Sequence, residues 1–266
     1  MSSNRSIRHV PAVLAALLIA GAAAPPAAAT GSCHATSGPH MAPLVELFTS
    51  EGCDSCPPAD RWLSAQFPPR GNAASALALA YHVDYWDRLG WHDRFASAQF
   101  TQRQRDEASA GGGTLVYTPQ VLVHGHDTPG WKHGRVTDAM AAVERRPPRA
   151  AIALDVTRET GALSIRATAS VADPALRRNA GLWIAFADSG HVTEVAAGEN
   201  RGARLRHDHV VRSLRGPFPV DAAGKGEATL TLQQPDPPGS EPTVVAFVQD
   251  AGSGDVLQAL AMLECR

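Results

Sequence analysis

The sequence predicts an α/β domain with a helical insertion, followed by an all-β antiparallel domain that is sandwich-like. In the first half, apolar runs of strand length alternate with helical stretches, which is typical of α/β folds. In the second half, short alternating runs are separated by Gly, Pro and Asp turns. Charge and proline cluster at 144–149, so we place the boundary there, giving domains 30–148 and 149–266 after a leader over 1–29.

The leader is typical of a secretory signal peptide. Two arginines precede an apolar run over 10–20, and a pattern of small residues ends at Ala29. The run is too short to span a bilayer, and no later stretch approaches ~20 apolar residues, so we expect no stable membrane insertion. Cleavage after Ala29 would release a periplasmic or secreted protein starting at Thr30. The alternative is a lipoprotein acylated at Cys33, for which residues 30–32 are a poor lead-in.

The elements of both halves follow from apolar runs and the turn residues between them. In the first half we predict a strand over 44–48, a helix over 59–67, a strand over 76–83, an insertion over 84–107 leading into a helix over 95–109, a strand over 117–125 and a closing helix over 136–143. In the second half we predict strands over 151–157, 163–170, 182–188, 209–214, 227–233, 243–249 and 256–262.

Two cysteines, Cys53 and Cys56, stand between the first strand and the first helix and are the strongest functional signal. This position puts the first thiol at a helix N-terminus, where unpaired N–H groups and the helix dipole stabilise a thiolate. The second thiol lies within reach, so the pair can open and close as a disulfide. Zinc sites use the same spacing, but no second CxxC or CxxH follows, so we predict no metal and no cofactor. Asp54 opposes thiolate formation, and Ser55 offsets part of this effect by hydrogen bonding.

Pro119 enters a strand that otherwise has the pattern of a central strand, although proline cannot donate to a ladder. One explanation is a trans proline on an edge strand, the commoner isomer among X-Pro bonds. The other follows from the order of strand, CxxC, helix, strand, inserted helix and Thr-Pro strand, through which the first domain resembles the thioredoxin superfamily. That resemblance implies a cis Thr118–Pro119 bond that faces the CxxC and leaves the backbone free to pair with a substrate.

The resemblance extends to a narrower family. The chain resembles the secreted, uncharacterised thioredoxin-like family called domain of unknown function 1223, through residues 45–53, 56–60, 82–87, 89–91, 117–120, 198–200 and 209–212. It implies a thioredoxin-like domain in which the catalytic residues are Cys53, Cys56 and Pro119, with Thr118, Tyr117 and Trp86 binding substrate. His124 stands where the family leads us to expect an acidic or polar residue.

The remaining cysteines lie near the two ends of the mature chain. Exported proteins meet an oxidising environment in which disulfides persist. Four cysteines allow three pairings, of which Cys53–Cys56 with Cys33–Cys265 is the most economical. In the loop-entropy model a bridge that closes nearly the whole chain stabilises it by about 4–5 kcal/mol. The formal charge of -2 carries no basic excess, so we expect no nucleic-acid partner.

Several polar groups have both structural and functional interpretations. Residues 82–87 and 91–93 could cap the second strand, wall the redox site with aromatic surface, or bind a metal. Glu51 and Asp60 add negative potential near the cysteines, or are a solvated loop residue and a salt-bridge partner of an arginine. Two further groups are expected to be solvent-exposed: a strand face with Arg204, Arg206, His207 and His209, and the turn histidines His124 and His126.

These observations predict an exported thiol–disulfide oxidoreductase. Cys53 exchanges with protein or small-molecule thiols or disulfides, Cys56 resolves the mixed disulfide, and an unidentified redox partner recharges the pair. The direction of electron flow stays open. Two alternatives are a periplasmic protein that binds or delivers Cu(I) through its thiolates, and a redox-inert binding module whose CxxC is a permanent staple.

Overall fold

The computed structural model describes residue 1 and residues 31–69, 77–233, 235 and 237–263. The predicted signal peptide beyond Met1, its cleavage site and Cys265 lie outside these residues. Within them the protein is mostly β, with several sheets and a few helices. No helix in this part of the chain is both long and apolar enough to cross a membrane.

The first half contains the predicted strands and helices, with shifted ends. In order, its elements are β1 (Ser32–Thr36), β2 (Leu44–Thr49), α1 (Pro57–Gln66), β3 (Leu77–His82), α2 (Ala98–Ala110), β4 (Gln120–Val123), β5 (His126–Asp127) and α3 (Arg135–Glu144), with 3-10 turns at Asp87–Leu89 and Trp131–His133. The predicted strand over 117–125 is shortened to β4, so Tyr117, Thr118 and Pro119 form the segment that leads into it.

The second half contains all of the strands predicted for it. Its elements are β6 (Ala151–Glu159), β7 (Ala162–Ser170), α4 (Pro174–Arg177), β8 (Ala180–Ser189), β9 (His191–Glu194), β10 (Arg204–His207), β11 (Val210–Pro219), β12 (Lys225–Gln233), β13 (Ser240–Asp250) and β14 (Val256–Leu263). The short strands β9 and β10 were not predicted from the sequence. Among the described strands they pair only with each other, as an antiparallel hairpin that we call the β9–β10 ribbon.

One eight-stranded sheet crosses the predicted domain boundary. Its order is β14-β13-β8-β11-β3-β2-β4-β5, so the strands of the second half continue without a break into the strands of the first half. The junction is the parallel contact of β11 with β3, where Val210 lies opposite Ala80 and the Ala80 N–H donates to the His209 carbonyl at 2.8 Å. The boundary at 148/149 falls in the connection between α3 and β6, and strands on its two sides share this sheet.

A second sheet, β1-β6-β7-β12, is antiparallel and packs on the β8 and β13 part of the large sheet. Because side chains alternate along a strand, β8 contributes Leu182 and Ile184 to this sandwich core and Ala185 to the opposite face, beneath α2. Burial on both faces explains the continuous apolar runs of β8 and β13. In the first half α1 and α3 cover one face of β2, and α2 covers the other.

The large sheet brings three segments to one edge. β2 and β3 are parallel and end together, with Thr49 opposite His82. β4 runs antiparallel to β2 and begins at this same edge, with Gln120 opposite Phe48. The loops that follow β2 and β3 and the Tyr117–Pro119 segment that precedes β4 therefore lie side by side.

Candidate functional site

Cys53 and Cys56 form a disulfide in the loop between β2 and α1. Both residues are fully buried, whereas Asp54 and Ser55 between them are exposed. The Ser55 hydroxyl lies 3.4 Å from the Cys53 sulfur. The pair therefore sits just beneath the surface, under its own loop.

The helix begins two residues before the predicted position 59, but it does not reach Cys53. We expected Cys53 at the helix N-terminus, but α1 begins at Pro57, and Cys56 is its N-cap. Pro57 and Pro58 have no N–H, so neither can make a helical hydrogen bond back to the carbonyls of Cys53 or Asp54. The first bonds of α1 instead run from Ala59 and Asp60 to the Cys56 carbonyl, at 2.8 and 3.2 Å. Helix-dipole stabilisation thus acts first on Cys56.

Glu199 and Asn200, in the turn between β9 and β10, hydrogen-bond to the backbone of the cysteine loop. One of these bonds, to the Cys53 carbonyl, replaces the helical bond that Pro57 cannot donate. The Asn200 side-chain amide donates to the carbonyls of Glu51 at 2.8 Å and Cys53 at 2.9 Å. The Asp54 N–H donates to the Glu199 carboxylate at 3.3 Å. Residues 198–200 entered the sequence analysis only through the family resemblance. They belong to the second half of the chain and hold the cysteine loop of the first half in place.

Trp86 connects the cysteine loop to the proline segment. Its indole N–H donates to the Thr118 hydroxyl at 2.8 Å, and its Cβ would lie 3.1 Å from a Cβ added at Gly52, next to Cys53. The Thr118–Pro119 bond is cis, as predicted. Trp86 is half-buried and contacts the residue before Cys53 on one side and the residue before Pro119 on the other.

Tyr117 is oriented by its own partners. Its hydroxyl donates to the Asp127 carboxylate at 3.0 Å, and its carbonyl accepts from the Gln104 amide at 2.8 Å. Burial, together with the Asp127 charge, raises the pKa of the Tyr117 phenol to about 12. Of the predicted substrate-binding residues, Trp86 and Thr118 therefore contact each other, while Tyr117 bonds to Asp127.

A buried polar cluster lies behind the disulfide, and sequence reasoning did not find it. We define it as Glu51, Asp60, His82, Asp93 and His207, all of which are buried. His82 Nδ1 donates to Asp93 at 2.7 Å, and the Asp93 carboxylate also accepts the Glu51 N–H at 2.9 Å. His207 Nε2 lies 3.3 Å from a Glu51 oxygen, and the His82 and His207 rings are 4.9 Å apart.

Burial and pairing compete in setting the charges of the buried polar cluster. Burial raises the pKa of the Asp93 carboxyl, but the His82 charge and hydrogen bond outweigh it and hold the pKa at about 2. Burial lowers the pKa of His82, and Asp93 more than restores it, so that it lies above its usual value. For Asp60 burial is the dominant influence and raises its pKa, despite the nearby histidines. The cluster therefore combines a His82–Asp93 ion pair with the Asp60 carboxyl, whose pKa is raised.

Several expectations of solvent exposure were wrong. His207 was expected on a solvated strand face, and a solvated loop position was one of the two interpretations of Glu51. Both are buried, as is Asp60, because α1 and the β9–β10 ribbon close over the ends of β2 and β3. His124 is fully buried as well, since the turn at Gly254 packs on Gly125, and burial lowers its pKa to about 3. His126, in contrast, is exposed and pairs with an aspartate of the second half, Asp255.

The segment over 82–93 both caps and walls the site. Asp84 accepts from the Thr101 hydroxyl of α2, and Asp87 accepts the Asp93 N–H at 3.2 Å, as the structural interpretation predicted. Trp91 donates to Glu51 at 2.8 Å. Among the described residues no three histidine, cysteine or acidic side chains are placed to hold a metal ion.

Cys33 lies in β1, in the four-stranded sheet, and is disulfide-bonded. Its predicted partner, Cys265, lies outside the described residues. The Cys33–Cys265 bridge therefore stays a prediction.

The fold and site define a mostly β protein with a CxxC disulfide set between a strand and a proline-initiated helix. The chain belongs to the family described as protein of unknown function (DUF1223), whose model matches residues 44–249. This confirms the family resemblance found in the sequence, and the matched range includes both cysteines, Pro119 and Asn200. No curated protein matches the chain.

Two solved structures are similar to this fold. One is the X-ray crystal structure of a protein from Agrobacterium tumefaciens, with 24% identity and a TM-score of 0.58, covering 85% of this chain and 96% of the other. The second is HBP35 of Porphyromonas gingivalis, with 15% identity and a TM-score of 0.60, covering 84% of this chain and 75% of the other. At these identities the similarity concerns the fold alone.

Proposed function

We propose that this protein is an exported thiol–disulfide oxidoreductase whose N-terminal part is a thioredoxin-like domain. The observation that carries the proposal is the Cys53–Cys56 disulfide at the end of β2, beside the Thr118–Pro119 segment. Paired cysteines three residues apart at a strand-to-helix junction suit reversible exchange, because both sulfurs stay within bonding reach in either redox state. Secretion follows from the leader sequence.

The exchange proceeds in two balanced steps. A substrate thiolate attacks the Cys53 sulfur, the bond between the two cysteines breaks, and Cys56 leaves as a thiolate. A second substrate thiolate then attacks the mixed disulfide and releases Cys53, so the substrate loses two electrons and the pair gains them. The reverse sequence reduces a substrate disulfide.

The test is to trap the mixed disulfide. Replacing Cys56 by Ser leaves Cys53 able to attack but unable to release, so substrates should accumulate as mixed disulfides in the exported fraction. The matched control is Cys53→Ser, which should trap far less. If neither variant captures a partner, the oxidoreductase proposal fails.

Burial of both cysteines favours a second candidate, in which the disulfide is a permanent staple in a redox-inert binding module. Structural disulfides typically have midpoint potentials below about -300 mV, whereas exchange enzymes lie higher. Equilibration of the Cys53–Cys56 pair against glutathione or dithiothreitol buffers measures this potential. A value in the range of exchange enzymes would support the oxidoreductase, and a value well below it would support the staple.

A further inference from the structure

The Cys53–Cys56 disulfide is inaccessible in its observed conformation. Exchange requires an attacking thiolate to approach one sulfur, yet both cysteines are fully buried while their loop residues Asp54 and Ser55 reach solvent. A small displacement of this loop would therefore uncover the pair. What holds the loop in place decides whether the disulfide can react.

The loop lacks the hydrogen bonds that would ordinarily tie it to α1. Pro57 and Pro58 cannot donate to the carbonyls of Cys53 and Asp54. The Cys53 carbonyl instead accepts from the Cys56 N–H at 3.2 Å and from Asn200 at 2.9 Å. Asn200 is thus a long-range substitute for a missing helical donor.

The tip that carries Asn200 is built as a compact turn on a separate element. Gly198 has a φ of +74°, and a Cβ there would lie 3.2 Å from the Cβ of Trp91, so the tip seats closely on the wall of the site. The turn is closed by hydrogen bonds from Arg201 to Gly198 and from Gly202 to Val195. In the part of the chain that the structure describes, β9 and β10 form strand hydrogen bonds only with each other, so the tip can leave the loop without breaking the eight-stranded or the four-stranded sheet.

We propose that Asn200 is the positioning residue that keeps the Cys53–Cys56 loop closed, and that the tip of the β9–β10 ribbon, residues 198–200, is a gate over the disulfide. When the tip is seated, Asn200 and Glu199 hold three backbone groups of the loop, and the sulfurs are covered. When it lifts, the loop is released and Cys53 becomes open to attack. The functional role of the gate rests on the proposed exchange chemistry, whereas the hydrogen bonds that close it involve no substrate.

The test is the rate at which dithiothreitol reduces the Cys53–Cys56 disulfide in the intact protein, followed by quenching and alkylation. Asn200→Ala removes two hydrogen bonds, which should favour the open loop and speed reduction by about 5- to 150-fold. Asn200→Asp keeps the size but cannot donate, so it should be equally fast. Asn200→Gln retains the donor on a longer side chain and should restore part of the protection. Arg201→Ala, an exposed neighbour in the same tip, is the matched control and should reduce at the wild-type rate.

Low urea concentrations separate gate opening from general loss of stability. Lifting the tip exposes little surface, so the fast reduction of Asn200→Ala should hardly change with urea, whereas reduction through global unfolding would rise steeply. Wild-type rates in both Asn200→Ala and Asn200→Asp, or a steep urea dependence of the accelerated rate, would overturn the gate. A fast Asn200→Ala variant combined with failed trapping by Cys56→Ser would keep the gate and reject the oxidoreductase. Successful trapping by Cys56→Ser, combined with wild-type reduction rates in the Asn200 variants, would support the oxidoreductase and reject the gate.

Discussion

Asp93 and His82 form the buried ion pair on which the back of the disulfide loop depends. Asp93 accepts three hydrogen bonds, from His82, the Glu51 N–H and the Phe95 N–H, and neither member of the pair has more than 1% of its side chain exposed. The Glu51 N–H donates to Asp93, and the Glu51 carbonyl accepts from Asn200. The ion pair and Asn200 therefore hold Glu51 from two sides. The pair is therefore structural support for the candidate site.

Replacing Asp93 by Asn should destabilise the protein strongly. It leaves the His82 imidazole buried without its counter-charge, and breaking a buried pair in this way costs about 3–5 kcal/mol. The free energy of unfolding in urea measures the effect. The matched control is Glu227→Gln in the exposed Arg166–Glu227 pair, which should change stability by about 0–1 kcal/mol.

The same comparison has a predicted pH dependence. Asp93 has a folded pKa of about 2 against an ordinary 3.8, so its stabilisation is present above pH 3.8 and is lost as the pH falls towards 2. His82 has a raised pKa, so its stabilisation is complete below 6.5 and is lost as the pH rises through the folded value. The difference between wild type and Asp93→Asn should be largest between pH 3.8 and 6.5. A difference that is flat into the alkaline range would contradict a charged His82.

At the scale of elements, the start of α1 determines which cysteine feels the helix dipole. Pro57 and Pro58 delay the helix, so that Cys56 caps it and Cys53 lies in the preceding turn. Asn200, at the tip of the β9–β10 ribbon, then donates to the Cys53 carbonyl the hydrogen bond that the helix does not supply. A CxxC therefore does not by itself fix the helix start, because the two residues after the second cysteine decide where helical bonding can begin.

Replacing Pro57 by Ala should lower the pKa of the Cys53 thiol. The alanine N–H can donate to the Cys53 carbonyl and extend the helix towards it, and a helix N-terminus favours a nearby negative charge by about 0.3–1 kcal/mol. The pKa should fall by about 0.2–0.7. The ultraviolet absorbance of the thiolate, titrated in the reduced Cys56→Ser background, measures it. Pro69→Ala, beyond the end of α1, is the control, and an unchanged or higher pKa in Pro57→Ala would contradict the dipole argument.

For the whole molecule, the shared eight-stranded sheet makes the two halves dependent on each other. β11 of the second half covers the edge of β3, and the site itself draws Cys53 from one half and Asn200 and His207 from the other. The N-terminal strand β1 pairs with β6, across the predicted boundary. Contacts of this kind couple unfolding of the two halves into one transition.

A fragment ending at residue 148 should therefore fail to fold cooperatively. It would expose the β3 edge, lose the partner of β1 and leave the buried polar cluster open to water. Thermal unfolding followed by near- and far-ultraviolet circular dichroism should show one coincident transition for residues 30–266 and no sharp transition for residues 30–148. A fragment with its own cooperative transition would support the predicted division into two domains.

The sequence by itself determined the features that depend on neighbouring residues. Strand and helix positions followed from apolar periodicity and turn residues, and the CxxC disulfide followed from a short motif, whereas the cis Thr118–Pro119 bond was implied by the family resemblance. No firm role could be assigned from the sequence to the polar residues of the site, Glu51, Asp60 and His207, because a single residue carries no local sign of what will cover it.

Only the tertiary structure decided which distant segments meet at the site. Asn200 bonds the Cys53 carbonyl across 147 positions of sequence, and β11 joins β3 rather than forming a separate sandwich. Both outcomes depend on the pairing of strands far apart in the chain, whose free energy comes from the surfaces they bury together. Burial of His82 and His207 follows from the same pairing. Local sequence could specify each strand but not its neighbour, and the neighbours form the candidate site.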